Sequence, residues 1–276
     1  MRLRALAKIN LGLDILGKRE DGYHEVKMIM QTIQMYDVLE LHKKKEPGIS
    51  LTVNVPFIPT DERNLVYRAA AMLMEEFHVQ EGLSIRLDKF IPVAAGMAGG
   101  SSDAAAAFVG VNRLFHLGLS QEELMERAVK VGADVPYCIM RGTALAEGIG
   151  EKLTALPPVP PCYVLVGKPA VSVSTKMAYE NLNLETIKKR PDIDGMISDI
   201  ENGNLMEMTE KMANVFEPGI IREYPVIQQI KDFMEFLTTK KKWSVQRKVY
   251  VQASWQRQFF PQRFLTEEYR KVERYE

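Results

Sequence analysis

The first hundred residues carry their apolar side chains in extended patterns. Residues 2–13 and 27–41 are long strand-like runs on either side of a turn-rich segment, residues 17–22. Residues 51–55 and 83–87 alternate apolar and polar positions. A period of two places alternate side chains on one face of a strand, so these runs predict an antiparallel sheet. Between them, NLVYRAAAMLMEEF (residues 64–77) has apolar residues at helical spacing and predicts a helix packed on that sheet.

Further along, helices are expected over residues 103–117 and 121–131, the second opened by Ser120 and Glu123 at capping-box spacing. Residues 143–156 read as a hairpin. Pro157, Pro158, Pro160 and Pro161 then punctuate the chain and divide residues 1–156 from a second domain, residues 157–276. Within that second part, residues 163–166 read as a short strand and residues 175–182 as the start of a helix, with helices over 204–216 and 225–237. The chain contains no internal repeat.

Composition narrows the class. Of 276 residues, 46% are apolar and 26% charged, as in ordinary soluble globular proteins. Basic and acidic residues balance at 36 each, so no global field draws the chain to nucleic acid or an anionic membrane, and any anion site must be local. Cys138 and Cys162 lie in apolar surroundings without metal-ligand spacing, which predicts buried thiols in a reducing compartment. Lys8, Asn10 and Asp14 interrupt the apolar character of the N-terminus, so it does not read as a signal peptide. Without an apolar run of about 18 residues, no membrane span is expected. The expected setting is the cytoplasm, with no membrane and no nucleic-acid partner.

The chemistry concentrates in PVAAGMAGGSSDAAAA, residues 92–107. Glycines let backbone approach a ligand closely, and Ser101 or Ser102 is expected to cap a helix beginning near Asp103. The free N–H groups and positive dipole end of such a helix bind anions. A glycine loop that merely caps an alanine-rich helix would account for the stretch equally well. Neither the P-loop signature, the dinucleotide fingerprint nor the protein-kinase motifs are present.

The pattern P-x-x-A-G-x-x-G-G-S-S-D-A-A resembles the phosphate-cradling motif of the GHMP small-molecule kinases. Three further stretches fit that family in order and spacing: AKINLGL (residues 7–13), DGYHE (residues 21–25) and GADVP (residues 132–136). The doubled glycine, Asp103 and the pair Tyr23-His24 are closer to the branch acting on a cytidine diphosphate-linked methylerythritol than to kinases of homoserine, mevalonate or sugars. The resemblance implies an α+β, two-domain GHMP kinase fold, with an N-terminal ribosomal-protein-S5-like domain and a C-terminal ferredoxin-like domain. It implies an ATP-dependent kinase of a small-molecule substrate in the non-mevalonate route to isoprenoid precursors, with Mg2+ accompanying the nucleotide.

Roles carry over residue by residue. By the resemblance Asp134 is the general base and Lys8 polarises the attacking hydroxyl and the transferring phosphate. ATP would lie on Pro92, Ala95, Gly96, Met97, Ala98, Gly99, Gly100, Ser101 and Ser102, with Asn64 lining the base and Ser102 a candidate magnesium ligand. Asn10 would hold the erythritol part, and Tyr23, His24, Thr175 and Tyr179 the cytidine.

The chain also departs from the family. A glycine-rich loop is expected near the C-terminus, yet no glycine follows Gly219. Residues 236–266 instead hold seven basic residues, no acidic ones, five glutamines and both tryptophans, before residues 265–276 resume an amphipathic pattern. Three accounts remain open at this point: a reading-frame slip restored near Leu265, divergence with Lys240, Lys241 and Lys242 as phosphate ligands, or a basic aromatic segment for nucleic acid. A family member that binds nucleotide without turnover is the corresponding alternative function.

Overall fold

The computed structural model describes residues 1–93, 95–169, 178–179, 182 and 184–240. Two long strands, β1 (Arg2–Lys18) and β2 (His24–Lys44), form an antiparallel ladder running from Arg2 opposite Glu40 to Lys18 opposite His24. The other edge of β2 carries two partners. Its residues 26–31 pair with β5 (Thr143–Gly148), and its residues 38–44 with β4 (Gly82–Asp88). Residues 32–37 lie between those two ladders.

The outer strands complete the sheet: β6 (Lys152–Leu156) pairs antiparallel with β5, as the expected hairpin requires, and β3 (Ile49–Val53) pairs with β4. The β3–β4 pair is parallel, which corrects the all-antiparallel expectation. A parallel pair needs a long return connection, and α1 (Leu65–Glu76) lies in it. Alternation within each strand cannot report its direction relative to a neighbour.

The main core lies on one face of the sheet, under α1, α2 (Gly99–Leu114), α3 (Gln121–Ala128) and α4 (Val135–Met140). Ser120 and Glu123 form the expected capping box at the start of α3. Helix α2 is central and buried from Ser102 through Phe108, and its four alanines, Ala104 to Ala107, keep it thin. At Gly110 a Cβ would meet Leu41 Cδ2 at 2.9 Å, so helix and sheet approach more closely than a larger residue permits.

On the opposite face Ile9, Leu11 and Ile29 pack against Ile193, Met196 and Ile200 of α5 (Ile193–Glu201). Leu13 and Ile15 share the odd-numbered parity of Ile9 and Leu11 but join the main core instead. A register shift between Asn10 and Gly12 exchanges the faces, as a bulge does. A further shift separates Leu6 from Lys8, so irregularities flank residues 8–10 on both sides.

Three helices follow, α6 (Leu205–Glu210), α7 (Glu217–Glu223) and α8 (Val226–Lys240). The helix expected over 204–216 therefore stops early. Its continuation serves β1: Leu13 N–H donates to Ala213 O, and Val215 N–H donates to Leu13 O. Residues 163–166 form no strand, correcting that expectation as well. Most of the anomalous segment 236–266 lies outside the described residues. Among the described residues, no helix is long and apolar enough to cross a membrane.

The expectation of buried thiols holds for one cysteine and is corrected for the other. Cys138 is buried, and that burial pushes its thiol up to about 12, whereas Cys162 is exposed. Since the thiolate is the reactive species, an alkylating reagent at pH 8 is expected to modify Cys162 in the native protein and Cys138 only after unfolding. Mass spectrometry after brief labelling checks this; rapid native labelling of Cys138 would contradict its burial.

Candidate active site

Helix α2 begins at Gly99, earlier than the sequence suggested. Its N-cap is Ala98, held in the left-handed region at φ 54° without a side-chain cap bond, so neither Ser101 nor Ser102 caps the helix. Ser102 Oγ instead donates to Leu6 O at 2.6 Å and lies 3.3 Å from Cys138 Sγ, inside the core. The first helical hydrogen bond runs from Ser102 N to Ala98 O, leaving the N–H groups of Gly99, Gly100 and Ser101 ahead of it. Gly100 is exposed, and Gly96 takes φ 66° in the bend before the helix. The glycines thus form the first turn itself, where bare backbone donors and the dipole end favour an anion.

The loop is anchored from below. Ala95 and Met97 are buried with Ala7 and Ile91, beside half-buried Pro92 and Ala98. Met97 O accepts from Lys8 N–H at 3.1 Å, which ties the loop to β1 at the residue expected to matter most. Asn64 stands at the N-terminus of α1, accepting from Val66 N–H and donating to Pro59 O. The next residue, Leu65, would lie 3.7 Å from a Cβ on Gly100, so the two helix starts are neighbours.

Lys8 is buried, and its Nζ donates to Asn10 Oδ1 at 3.0 Å, as the i, i+2 relation on one strand face allows. The same Nζ lies 3.7 Å from a carboxylate oxygen of Asp134, whose side chain is 35% exposed. Asp134 occupies the N-cap of α4 but makes no side-chain cap bond, so its carboxylate is not consumed by the helix. Lys8 and Asn10 of β1 therefore meet Asp134, more than a hundred residues later in the chain, beside the glycine loop.

A set of rings stands next to this cluster. The rings of His24 and Tyr179 are 4.9 Å apart, and Phe216 meets Tyr179 edge-on at 4.8 Å. Burial, and then the Asp134 charge, push the Tyr179 hydroxyl up, which puts the ring set within electrostatic reach of Asp134. Tyr23 is exposed, its N–H donating to Asp21 Oδ1 and its carbonyl accepting from Arg19 N–H in the turn between β1 and β2. Thr175 lies outside the described residues.

Sequence reasoning missed Phe216, which no motif marks, and a buried ionic group beneath the loop. Lys89 Nζ bonds to Asp37 Oδ2 and, at 2.6 Å, to Asp103 Oδ2, with all three side chains at most 5% exposed. Burial pushes the Asp103 carboxyl well up, aided by the Asp37 charge and opposed by Lys89. Two carboxylates sharing one ammonium in the interior favour retaining a proton on one of them. The acid after the serines was the available signal; its partners, 52 and 14 residues away from their contacts, were not legible.

A metal ion finds few protein ligands here. Among the described residues no three His, Cys, Asp or Glu side chains gather as ligands. The expectation for Ser102 is corrected, because the residue is 2% exposed and its hydroxyl is turned toward Leu6 and Cys138. The neighbouring Ser101 is half-buried at the loop. These residues fit a cation that arrives on phosphates and keeps several waters, as magnesium does.

Residues 64–142 match the model of the GHMP kinases N terminal domain, a span that contains both the loop and Asp134. A 4-diphosphocytidyl-2-C-methyl-D-erythritol kinase of Lachnoclostridium phytofermentans is 54% identical over 83% of this chain and 79% of its own length. The protein of that name from Lachnospira eligens is 52% identical over 85% of this chain and 81% of its own. A crystal structure of 4-(cytidine 5'-diphospho)-2C-methyl-D-erythritol kinase superposes with a TM-score of 0.72 at 29% identity, covering 86% of this chain and 84% of that one. With half its aligned residues shared over most of these relatives' length, and their fold shared as well, the chain belongs to the 4-diphosphocytidyl-2-C-methyl-D-erythritol kinase family of GHMP kinases.

Proposed function

We propose that this protein transfers the γ-phosphoryl group of ATP to the 2-hydroxyl of 4-diphosphocytidyl-2-C-methyl-D-erythritol, within isoprenoid precursor synthesis. The observation that carries the reading is the 3.7 Å approach of Lys8, tied to the glycine loop through Met97 O, to Asp134. Phosphoryl transfer asks for positioning, charge stabilisation and a group to take the hydroxyl proton. Each has a candidate.

The N–H groups of Gly99, Gly100 and Ser101 would hold phosphate oxygens at the helix end. Asp134 would take the proton of the 2-hydroxyl as its oxygen attacks the γ-phosphorus, while the bond to the bridging oxygen breaks and its electron pair leaves with ADP. Lys8, steadied by Asn10, would offset negative charge on the transferring group. Magnesium supplies charge neutralisation on the phosphate oxygens when bound. Tyr179 and His24 would stack with the cytosine ring, Phe216 supporting Tyr179 from the side.

The test is ADP release by the purified full chain with ATP and each of three acceptors. Release dependent on the cytidyl substrate is expected. Release with homoserine or mevalonate instead would overturn the substrate assignment. One observation favours a second reading, a chain that binds nucleotide without turnover: the absence of glycine after Gly219. That reading expects ATP binding with no ADP release.

A further inference from the structure

The loop that faces the phosphates leaves the sheet at one end of residues 89–103 and enters α2 at the other. Both ends meet the same buried ammonium. At the entry, Val38 of β2 pairs with Asp88, the last residue of β4, and the chain then turns away from the ladder. Asp37, the next residue along β2, takes over from the backbone: its Oδ1 accepts from Phe90 N–H and from Ile91 N–H. Its Oδ2 accepts from Lys89 Nζ. The backbone of Lys89 is fixed separately by Asn54, whose amide accepts from Lys89 N–H at 2.8 Å and donates to Lys89 O at 3.2 Å.

At the exit, Lys89 Nζ donates to Asp103 Oδ2 on the second turn of α2. A Cβ placed on Gly99 would fall 3.2 Å from Lys89 Nζ and 3.2 Å from Ile91 Cγ2, so this contact lies directly behind the first helical N–H groups. Asp103 Oδ1 is buried without a hydrogen-bond partner among the described residues, so the carboxyl is retained despite incomplete satisfaction. Packing alone would be served better by an apolar residue of similar size.

We propose that Lys89, gripped by Asp37 and Asp103, is a positioning residue that sets the spacing between the entry of the phosphate loop and the first turn of α2, and so determines how well the loop receives ATP. The bridge touches no substrate atom; it acts through the backbone of residues 90–91 and of Gly99. This rests on the nucleotide-binding role proposed for the loop, but not on turnover.

Asp103→Ala cuts the α2 arm and leaves Lys89 paired with Asp37, so no buried charge is stranded. Equilibrium titration with a fluorescent ATP analogue is expected to show affinity weakened about tenfold or more, while affinity for CDP at the aromatic site changes less than about threefold. Asp103→Asn keeps an oxygen acceptor for Lys89 and is expected to recover most of the loss. Asp37→Asn, which still offers an acceptor to Phe90 and Ile91 but turns an amide donor toward Lys89, is expected to weaken ATP in the same direction, and serves if Asp103→Ala fails to fold.

Unchanged ATP affinity in Asp103→Ala or Asp37→Asn overturns the proposal. Equal losses for ATP and CDP would also do so, because they mark a general loss of folded protein. Failure of the original protein to bind the analogue at all would instead sink the nucleotide reading of the loop, and the positioning role with it.

Discussion

Replacing Asp134 with alanine is expected to lower kcat by about 10²- to 10⁴-fold, the usual worth of a general base, while the protein stays folded. The separation of the two effects follows from local geometry. The carboxylate makes no cap bond to α4, so its removal leaves no N–H of that helix newly unpaired. Lys8 keeps Asn10 Oδ1 as an acceptor, so its ammonium is not left bare. A base acts on the attacking hydroxyl in the transition state, so kcat and kcat/KM should fall together with little change in the KM for ATP. Lys8→Met should lower kcat as well, and the double variant should lose less than the product of the single losses, since the two groups serve one proton transfer and one charge. Steady-state ADP release beside a thermal melt measures all of this. A folded Asp134→Ala with turnover near that of the original protein would remove Asp134 from the reaction.

The largest effect on stability is expected at Phe108. It is fully buried on the face of α2 that meets the main core, directly after a run of four alanines that offers nothing to collapse into a vacated space. Phe108→Ala is expected to cost about 3–5 kcal/mol, read as a fall in thermal midpoint on the order of 10 °C. Because α2 carries at its N-terminal end the turn proposed to bind phosphate, the variant separates scaffold from site. The folded fraction at low temperature should bind ATP normally even as the midpoint falls. A loss below about 1 kcal/mol would mean the core around Phe108 repacks, which the close contact at Gly110 argues against.

The sequence was most informative where one residue type has one local use. The capping box at Ser120 and Glu123 and the start of α1 at Asn64 were legible because each cap is a short-range hydrogen bond. The long strands were legible from their runs of apolar side chains, although their ends were placed several residues short. Helix α2 was placed late because Gly99 and Gly100 disfavour helix intrinsically; burial of the rest of the helix overrides that preference.

What depended on distant partners was not legible. The parallel direction of β3, the early stop of α6 in favour of bonds to Leu13, and the grip of Asp37 on Lys89 each join segments that no local pattern connects. The site divides along the same line. Lys8, Asp134, His24 and the loop were recognisable as a joint pattern of motifs, and the structure brings them together. Ser102 was misjudged because a serine beside a phosphate loop suggests a ligand, whereas its direction depends on Leu6 and Cys138.

The ladder between β1 and β2 also has a bearing on time. Its turn is short and all its pairs lie within the first 40 residues, so the strand partners of Lys8 and Asn10 are synthesised well before Asp134. Asp134 follows Lys8 by 126 positions in the chain. At a synthesis rate of about 5–20 residues per second, that interval lasts roughly 6–25 s. During it the strand partners of Lys8 have been made but the carboxylate of Asp134 has not, so the charge pair of the site is available only once the chain has reached α4.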